Sequence, residues 1–120
     1  MNRTPPEVSS ESGIEPALNE LTSVLGGQMA REAVGVFLQT FPRMLHELGQ
    51  SDTERSRRAA HGLKSSARQM GAVALADLMV DFEKRLGVPD AKMTQADIAA
   101  VIGAFSAAAG PLRTFARSRA

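Results

Sequence analysis

The chain contains no cysteine, no tryptophan and no tyrosine, and only two of its 120 residues are histidines. The absence of cysteine excludes disulfides, thiol chemistry and thiolate metal sites, and it leaves His46 and His61 as the nitrogen ligands, so a zinc site is not expected. A chain of this length with 43% hydrophobic residues is instead expected to fold as one domain with a modest core.

An excess of charge of one sign is also missing. Fourteen basic residues against thirteen acidic residues leave a formal charge of +1, so no overall field directs the chain to nucleic acid or to an anionic membrane. The opening segment MNRTPPEVSSESG lacks the apolar core of a signal peptide, and no run approaches the roughly 20 apolar residues that span a bilayer. The sequence therefore predicts a soluble, cytoplasmic protein with neither a membrane nor a nucleic-acid partner.

The order of apolar residues predicts a helical protein. Residues 1–14 mix Pro, Ser, Glu and Gly without periodicity and predict a flexible leader, so the folded domain is expected over residues 15–120. Apolar residues then recur at steps of three and four in five segments, which predicts five helices. The first helix is expected to start at Pro16 and to stop at Gly26–Gly27. The second, third and fourth helices are expected to end at Gly49, Gly71 and Gly87, and the last helix is expected to be interrupted at Gly110–Pro111.

Helix-capping patterns mark two of the helix starts. Ser51 followed by Glu54, and Thr94 followed by Asp97, both resemble capping pairs. Pro42 should either bend the second helix or divide it in two. Because no segment alternates with period two and no Asn-Gly or Asp-Gly turn appears, the predicted class is all-α: an antiparallel four-helix bundle with a short extra N-terminal helix.

The stretch ERSRRAAHGLKSSARQMG, residues 54–71, places His61 away from the apolar stripe of its own helix. At about 100° per residue, the small and apolar residues gather within about 60° of Leu63, and His61 lies about 160° away on the solvent side. The predicted buried residues around Leu63 are Ser56, Ala59, Ala60, Ala67 and Met70.

The surroundings of His61 favour phosphoryl transfer to an imidazole nitrogen. A solvent-facing neutral imidazole is a nucleophile, and nearby positive charge can stabilise the oxygens of a phosphoryl group. Gly62 and Ser65 leave the ring bare, which suggests that something large must approach, and Lys64 is one turn away from the ring. The cations of this face are Arg57, Arg58, Lys64 and Arg68.

A hairpin that turns at Gly71 would bring Glu83 to the height of His61. His61 lies ten residues before the glycine and Glu83 twelve residues after it. Glu83 sits at the edge of its own apolar stripe, so its carboxylate could accept a hydrogen bond from one ring nitrogen and leave the other free to attack. An ordinary surface or salt-bridging carboxylate is the equally open alternative.

The segment AAHGLKSSARQMGAVALADLMVDFEKRLG, residues 59–87, resembles the histidine-containing phosphotransfer (HPt) domains of bacterial multistep phosphorelays. The shared pattern is an alanine–histidine pair, a lysine three residues after the histidine, small residues next, a glycine ten after the histidine, and a leucine-rich helix that ends near a glutamate. Residues 37–52 are similar to the second helix of the family. The family often has glycine at the position of Ser65, and serine keeps that position small.

The resemblance implies that His61 is the phosphoacceptor, Lys64 the phosphate-side cation and Gly71 the point where the hairpin closes, with Glu83 orienting the imidazole. It implies a phosphoryl carrier, not an enzyme with an ATP site of its own, that meets receiver domains of response regulators and a sensor or hybrid histidine kinase. A monomer is expected. No cofactor is expected on this chain, and Mg²⁺ is expected in the partner receiver domain. The residues expected to contact a partner are Arg57, Arg58, Gly62, Ser65 and Arg68.

Other functions stay open at this point. A helical adaptor could keep the bundle and bind a receiver domain or a kinase without phosphotransfer. A nucleic-acid or membrane-surface binder could use the arginines of the third helix or Arg113, Arg117 and Arg119, but the near-neutral charge and the 4% aromatic content disfavour it. Phosphorylation of His61 from ATP would need a kinase in trans, because the chain has no glycine-rich phosphate loop.

Overall fold

A computed structural model describes residues 10–118, with side chains from residue 13 onward, and every regular element in this range is a helix. The helices are α1 Ser10–Leu25, α2 Gly27–Leu48, α3 Thr53–Met70, α4 Val73–Arg85 and α5 Gln95–Arg117. Short turns join α2 to α3 and α3 to α4, so neighbouring helices run antiparallel, and α1 packs against all four of the others. The predicted all-α bundle with an additional N-terminal helix is confirmed.

One stripe of each helix forms the core. Apolar side chains that are fully withdrawn from solvent come from α2, α3, α4 and α5, and Phe41 of α2 stacks on Phe105 of α5 with 3.7 Å between the ring centroids. Burial of a large aliphatic side chain stabilises a fold by roughly 1.5–3 kcal/mol relative to its exposure, so this core accounts for the bundle arrangement. Its largest members are Leu48, Leu63, Leu75, Met79 and Leu112.

Helix α1 begins at Ser10, earlier than the predicted start at Pro16. Residues 10–14 of the expected leader therefore belong to this helix, and residues 1–9 lie outside the described part of the chain. Tertiary packing explains the difference: Ile14 is only 2% exposed, and Gly13 lies directly against the backbone of Gly71. These contacts support the first turns, whose sequence alone contains little apolar surface.

Three prolines lie inside helices without ending them: Pro16 in α1, Pro42 in α2 and Pro111 in α5. α2 is one continuous helix through Pro42, so the alternative of two separate pieces is wrong. α5 continues through Gly110–Pro111, and the predicted interruption there is also wrong. Pro42 and Pro111 are exposed, whereas the adjoining Phe41 and Leu112 are buried, so core packing on the opposite side holds α2 and α5 together despite the lost backbone hydrogen bonds.

The helix caps differ from the prediction at one of two sites. The N-cap of α3 is Asp52, whose carboxylate accepts from the backbone N–H groups of Glu54 and Arg55, so Ser51 is not the capping residue. At α5 the predicted capping box is present: Thr94 Oγ1 accepts from the Asp97 N–H at 3.0 Å, and Asp97 Oδ2 accepts from the Thr94 N–H at 2.8 Å.

Helix α5 is long and apolar enough to cross a membrane when judged by length and composition alone. An 18-residue window of α5 has a mean hydropathy of 1.4, so the expectation that no run approaches a membrane span does not hold for α5 by this measure, and 22% of the window is buried in the bundle. A core helix of a soluble protein satisfies the same criterion, and α5 contributes Val101, Ala108 and Leu112 to the core. This single helix is therefore weak evidence for a membrane span.

Candidate functional site

His61 lies on the outer face of α3, as the helical periodicity predicts. The opposite face is buried, and its members agree with the predicted stripe except for Ala59, which is half-buried. The His61 side chain is 62% exposed, so the imidazole is open to an approaching molecule. The buried residues of α3 are Ser56, Ala60, Leu63, Ala67 and Met70.

Ser56 is the polar member of this buried face, and it fixes the turn that leads into α3. Its hydroxyl lies 2.8 Å from the carbonyl oxygen of Leu48 and 2.9 Å from that of Gln50, and it can donate to either. Because a buried hydroxyl without a partner would be destabilising, these contacts specify the position of α3 against the end of α2.

Gly71 ends α3 and turns the chain into α4. Its φ of 76° and ψ of 14° fall in the left-handed region that favours glycine, and its N–H donates to the Arg68 carbonyl at 3.1 Å. A side chain at this position is also excluded by α1, because a Cβ atom would lie 2.7 Å from the Cβ of Ala17. Gly71 thus closes the α3–α4 hairpin at the expected residue and sets which residues face each other across it.

Glu83 of α4 meets His61 across this hairpin. Buried residues of α4, including Met79 and Phe82, pack toward the core and leave Glu83 at the edge of the interface, where its side chain is 22% exposed. Glu83 Oε2 lies 2.9 Å from Nδ1 of His61. With Nδ1 engaged, Nε2 is the ring nitrogen that is left without a hydrogen bond among the described residues.

Lys64 binds the other oxygen of the same carboxylate. Its Nζ donates to Glu83 Oε1 at 2.6 Å, and its side chain is 18% exposed. The hydrogen bond from Lys64, followed by that from His61, holds the pKa of Glu83 below its usual range. The carboxylate therefore stays ionised at neutral pH and joins imidazole and ammonium in one network.

Packing within the protein does not require glycine at position 62. A Cβ atom there would meet only Met44 Cε at 4.0 Å, which is an ordinary van der Waals contact. A glycine within a helix costs about 0.5–1 kcal/mol relative to alanine, so the internal packing of the bundle would be better served by alanine. The exposed Ser65 is likewise small, and both residues leave the surface around His61 low.

The arginines of α3 divide into paired and unpaired cations. Arg55 forms a bidentate ion pair with Glu47 of α2, and Arg57 pairs with Glu54 at 2.9 Å on its own helix. Arg58 and Arg68 are exposed and have no ion-pair partner among residues 13–118. The outer surface of α3 therefore carries free positive charge on both sides of His61 along the chain.

Two pairings in this arrangement were not predicted from the sequence. The contact of His61 with Glu83 is one of the two alternatives that were open for this carboxylate, but the bond from Lys64 to the same carboxylate was not foreseen beside the expected role of Lys64 toward a phosphate. The Arg57–Glu54 pair was not predicted either, although the spacing of three residues was a usable signal. His46, the other histidine, is exposed on α2, and its ring nitrogen Nε2 lies 3.0 Å from Nε2 of the Gln50 side chain, as suits a solvent-facing residue.

The fold and the site together define a helical bundle module that presents one exposed imidazole, held by a carboxylate of the neighbouring helix, to a partner surface. The chain belongs to the Hpt domain family, since the family described as Hpt domain matches residues 32–110. Neither the curated proteins nor the solved structures contained a match to this chain. The matched range includes His61, Lys64 and Glu83 but begins inside α2, so α1 lies outside it.

Family membership gives the function at a coarse level. Hpt domains are phosphotransfer modules of two-component signalling that interact with receiver domains and kinases, and they carry a phosphoryl group rather than catalyse a reaction of their own. The chain thus has a phosphotransfer-related role in two-component signalling. Proteins with this domain are generally soluble.

Proposed function

We propose that this protein is a histidine phosphotransfer protein of a multistep phosphorelay, which accepts a phosphoryl group on His61 from the aspartyl phosphate of one receiver domain and passes it to another. The observation that carries the proposal is the 2.9 Å contact between Glu83 and Nδ1 of an exposed imidazole. The proposal includes a monomeric carrier in the cytoplasm of a bacterial cell.

Glu83 selects the nucleophilic nitrogen. A carboxylate accepts a hydrogen bond, so the proton of the neutral ring resides on Nδ1 and the lone pair on Nε2. Nε2 attacks the phosphorus atom of the aspartyl phosphate; the N–P bond forms while the bond from phosphorus to the aspartate oxygen breaks, and the aspartate leaves as a carboxylate. Because phosphohistidine and aspartyl phosphate are both reactive, the same steps in reverse deliver the group to the next receiver domain.

Lys64 is the cation that we assign to the phosphoryl group. Phosphoryl transfer spreads negative charge over three equatorial oxygens, and catalysis depends on positioning and on positive charge around them. Lys64 lies three residues after His61 and shares the Glu83 carboxylate with it, so its ammonium is already beside the ring. The Mg²⁺ ion that such a transfer uses is expected in the receiver domain, and no cofactor is assigned to this chain.

The surface around His61 has features that suit an acidic, convex partner. Gly62 has room for a side chain and lacks one, and Ser65 is small, so a receiver domain can bring its phosphorylated residue close to Nε2. The free cations Arg58 and Arg68 lie on the same exposed surface and complement the acidic pocket in which a receiver domain holds Mg²⁺. We assign these four residues to partner binding.

The test is transfer of label from a receiver domain of the same organism, phosphorylated with radiolabelled acetyl phosphate, to this protein. His61→Gln removes the nucleophile, and His46→Gln is the matched control because His46 is the other histidine and is also exposed. We expect acid-labile, alkali-stable label on the wild type and on His46→Gln, and none on His61→Gln. Label that persists on His61→Gln would contradict the proposal. A receiver that binds tightly but never transfers label would instead indicate a non-catalytic adaptor.

A further inference from the structure

A polar groove runs between α3 and α4 beside the contact of His61 with Glu83. Its volume is about 770 Å³, and its walls include Arg57 and Lys64 of α3, Glu83 and Lys84 of α4, and Gly87 in the turn that follows α4. Gly87 contributes no side chain, so this end of the groove stays open. The groove therefore places two further cations, Arg57 and Lys84, in the same depression as Lys64, and Arg57 is the one that shares α3 with His61.

Arg57 and Lys64 bracket His61 on the surface of α3. Arg57 precedes the histidine by four residues and Lys64 follows it by three, so all three project from one face of the helix. Side chains of a helix lean toward its N-terminus, which carries the His61 ring over the turn that Arg57 occupies. The hydrogen bond and charge of Glu54, and also the charge of Glu83, raise the pKa of Arg57, so the guanidinium lies within the field of the site carboxylate.

The present partner of Arg57 is easily exchanged. Glu54 accepts from Arg57 Nη2 at 2.9 Å and from Nε at 3.2 Å, but the side chains are 40% and 55% exposed for Arg57 and Glu54, respectively. An exposed ion pair of neighbouring residues on one helix is weak because water screens it. A doubly negative phosphoryl group close by would compete with Glu54 for the guanidinium.

We propose that Arg57 is a second phosphoryl-binding cation of this site, which leaves Glu54 and donates to the phosphoryl oxygens when His61 is phosphorylated. The inference rests on the proposed phosphotransfer at His61 and adds a residue to it. A guanidinium presents a planar fork of donors that matches phosphoryl oxygens in a way that a single ammonium does not. Glu54 then serves as the resting partner that holds Arg57 near the ring between transfers.

The test uses phosphoramidate as the donor, so that no partner protein is needed. The P–N bond of phosphoramidate breaks and ammonia leaves as the new N–P bond to Nε2 of His61 forms. We expect Arg57→Gln to slow phosphorylation about tenfold, the loss expected for one charge-assisted hydrogen bond in an exposed site, and Arg57→Lys to recover part of the rate. Arg55→Gln removes the same charge from the same helix at a residue paired with Glu47, and its rate should stay within about twofold of the wild type.

A spectroscopic readout separates direct contact from a general charge effect. In the ¹⁵N NMR spectrum, the Nε resonance of Arg57 should shift on phosphorylation and that of Arg55 should not. If the wild type is labelled but Arg57→Gln behaves like Arg55→Gln and the Arg57 resonance does not move, the role of Arg57 is disproved and the phosphotransfer proposal stands. If the wild type takes no label, or His61→Gln takes it equally, the phosphotransfer proposal itself fails.

Discussion

At the scale of single residues, Glu83 is the group on which the geometry of the site depends. One oxygen contacts His61 at 2.9 Å and the other accepts from Lys64 at 2.6 Å, so one carboxylate fixes both the ring and the ammonium. The two donors also lower the pKa of Glu83, which keeps the carboxylate charged where it serves as an acceptor. Glu83 therefore acts through His61, as a positioning residue.

Replacement of Glu83 should alter the tautomer of His61 as well as its reactivity. In Glu83→Ala the proton is no longer held on Nδ1, so we expect the ¹⁵N shifts of the ring to show a larger fraction of the Nε2–H form and phosphorylation to slow about tenfold. Glu83→Gln keeps an oxygen acceptor and should restore most of the Nδ1–H form. Asp77→Ala, at an exposed acidic position of the same helix, is the control. An unchanged tautomer in Glu83→Ala would rule out the orienting role.

At the scale of helices, the junction between α4 and α5 is held by one carboxylate. Arg85 donates to both oxygens of Asp97, at 3.0 and 2.7 Å, and Asp97 also completes the capping box with Thr94. The Asp97 side chain is 16% exposed, and the hydrogen bonds from Arg85, followed by those of Thr94, hold its pKa well below the usual range. The last helix is thereby joined to the helix that carries Glu83.

The depressed pKa of Asp97 makes this junction sensitive to acid. A carboxylate with a lowered pKa in the folded state contributes stability above its unfolded pKa of about 3.9, and the contribution is lost as the pH falls toward the folded value. At pH 7 we expect Asp97→Asn to lower the free energy of unfolding by about 1–2 kcal/mol. Urea titrations should show this difference from the wild type shrinking between about pH 5 and pH 2.

Asp90→Asn is the matched control for that titration. Asp90 is exposed in the connection between α4 and α5 and has a φ of 67°, a conformation that asparagine tolerates. Its substitution should leave the free energy of unfolding within about 0.5 kcal/mol of the wild type at neutral pH. A difference for Asp97→Asn that stays constant down to pH 2 would show that the ion pair with Arg85 does not stabilise the fold.

At the scale of the whole molecule, α1 belongs to the folded domain although it lies outside the residues that match the family. Ile14, Leu18 and Leu21 are buried in the common core, and Gly13 lies against Gly71 at the turn of the hairpin that carries the site. A helix packed on that turn supports the register that brings His61 and Glu83 together. Loss of α1 contacts should therefore affect the entire bundle.

Two substitutions on α1 compare how much its buried face and its exposed face contribute to stability. Leu18→Ala removes a buried side chain and should lower the free energy of unfolding by about 2–4 kcal/mol. Val24→Ala, at a position that is 72% exposed on the same helix, should change it by less than about 0.5 kcal/mol. Chemical denaturation followed by circular dichroism measures both. Equal and small effects would mean that α1 is dispensable for stability.

Several features could be predicted from local patterns alone, because helical periodicity records which face of a helix is buried. The five helices, the outward position of His61, the turn at Gly71 and the capping box of Thr94 with Asp97 all follow from spacings within a single segment. The resemblance over residues 59–87 also identified the family correctly. Local patterns did not predict that α1 begins as early as Ser10, or that α2 and α5 continue through their prolines. At these places, contacts with other helices outweigh the local tendency to break the helix.

The sequence by itself determined that this protein is a helical bundle with an exposed histidine beside a lysine, since both depend on residues that are close along one helix. Only the tertiary structure decided how those groups are paired. Lys64 binds Glu83 of the neighbouring helix rather than projecting freely, and α4 completes the groove beside Arg57. The physical reason is that a charge selects its partner by distance in space, and that distance is set by the packing of α3 on α4 rather than by spacing along the chain.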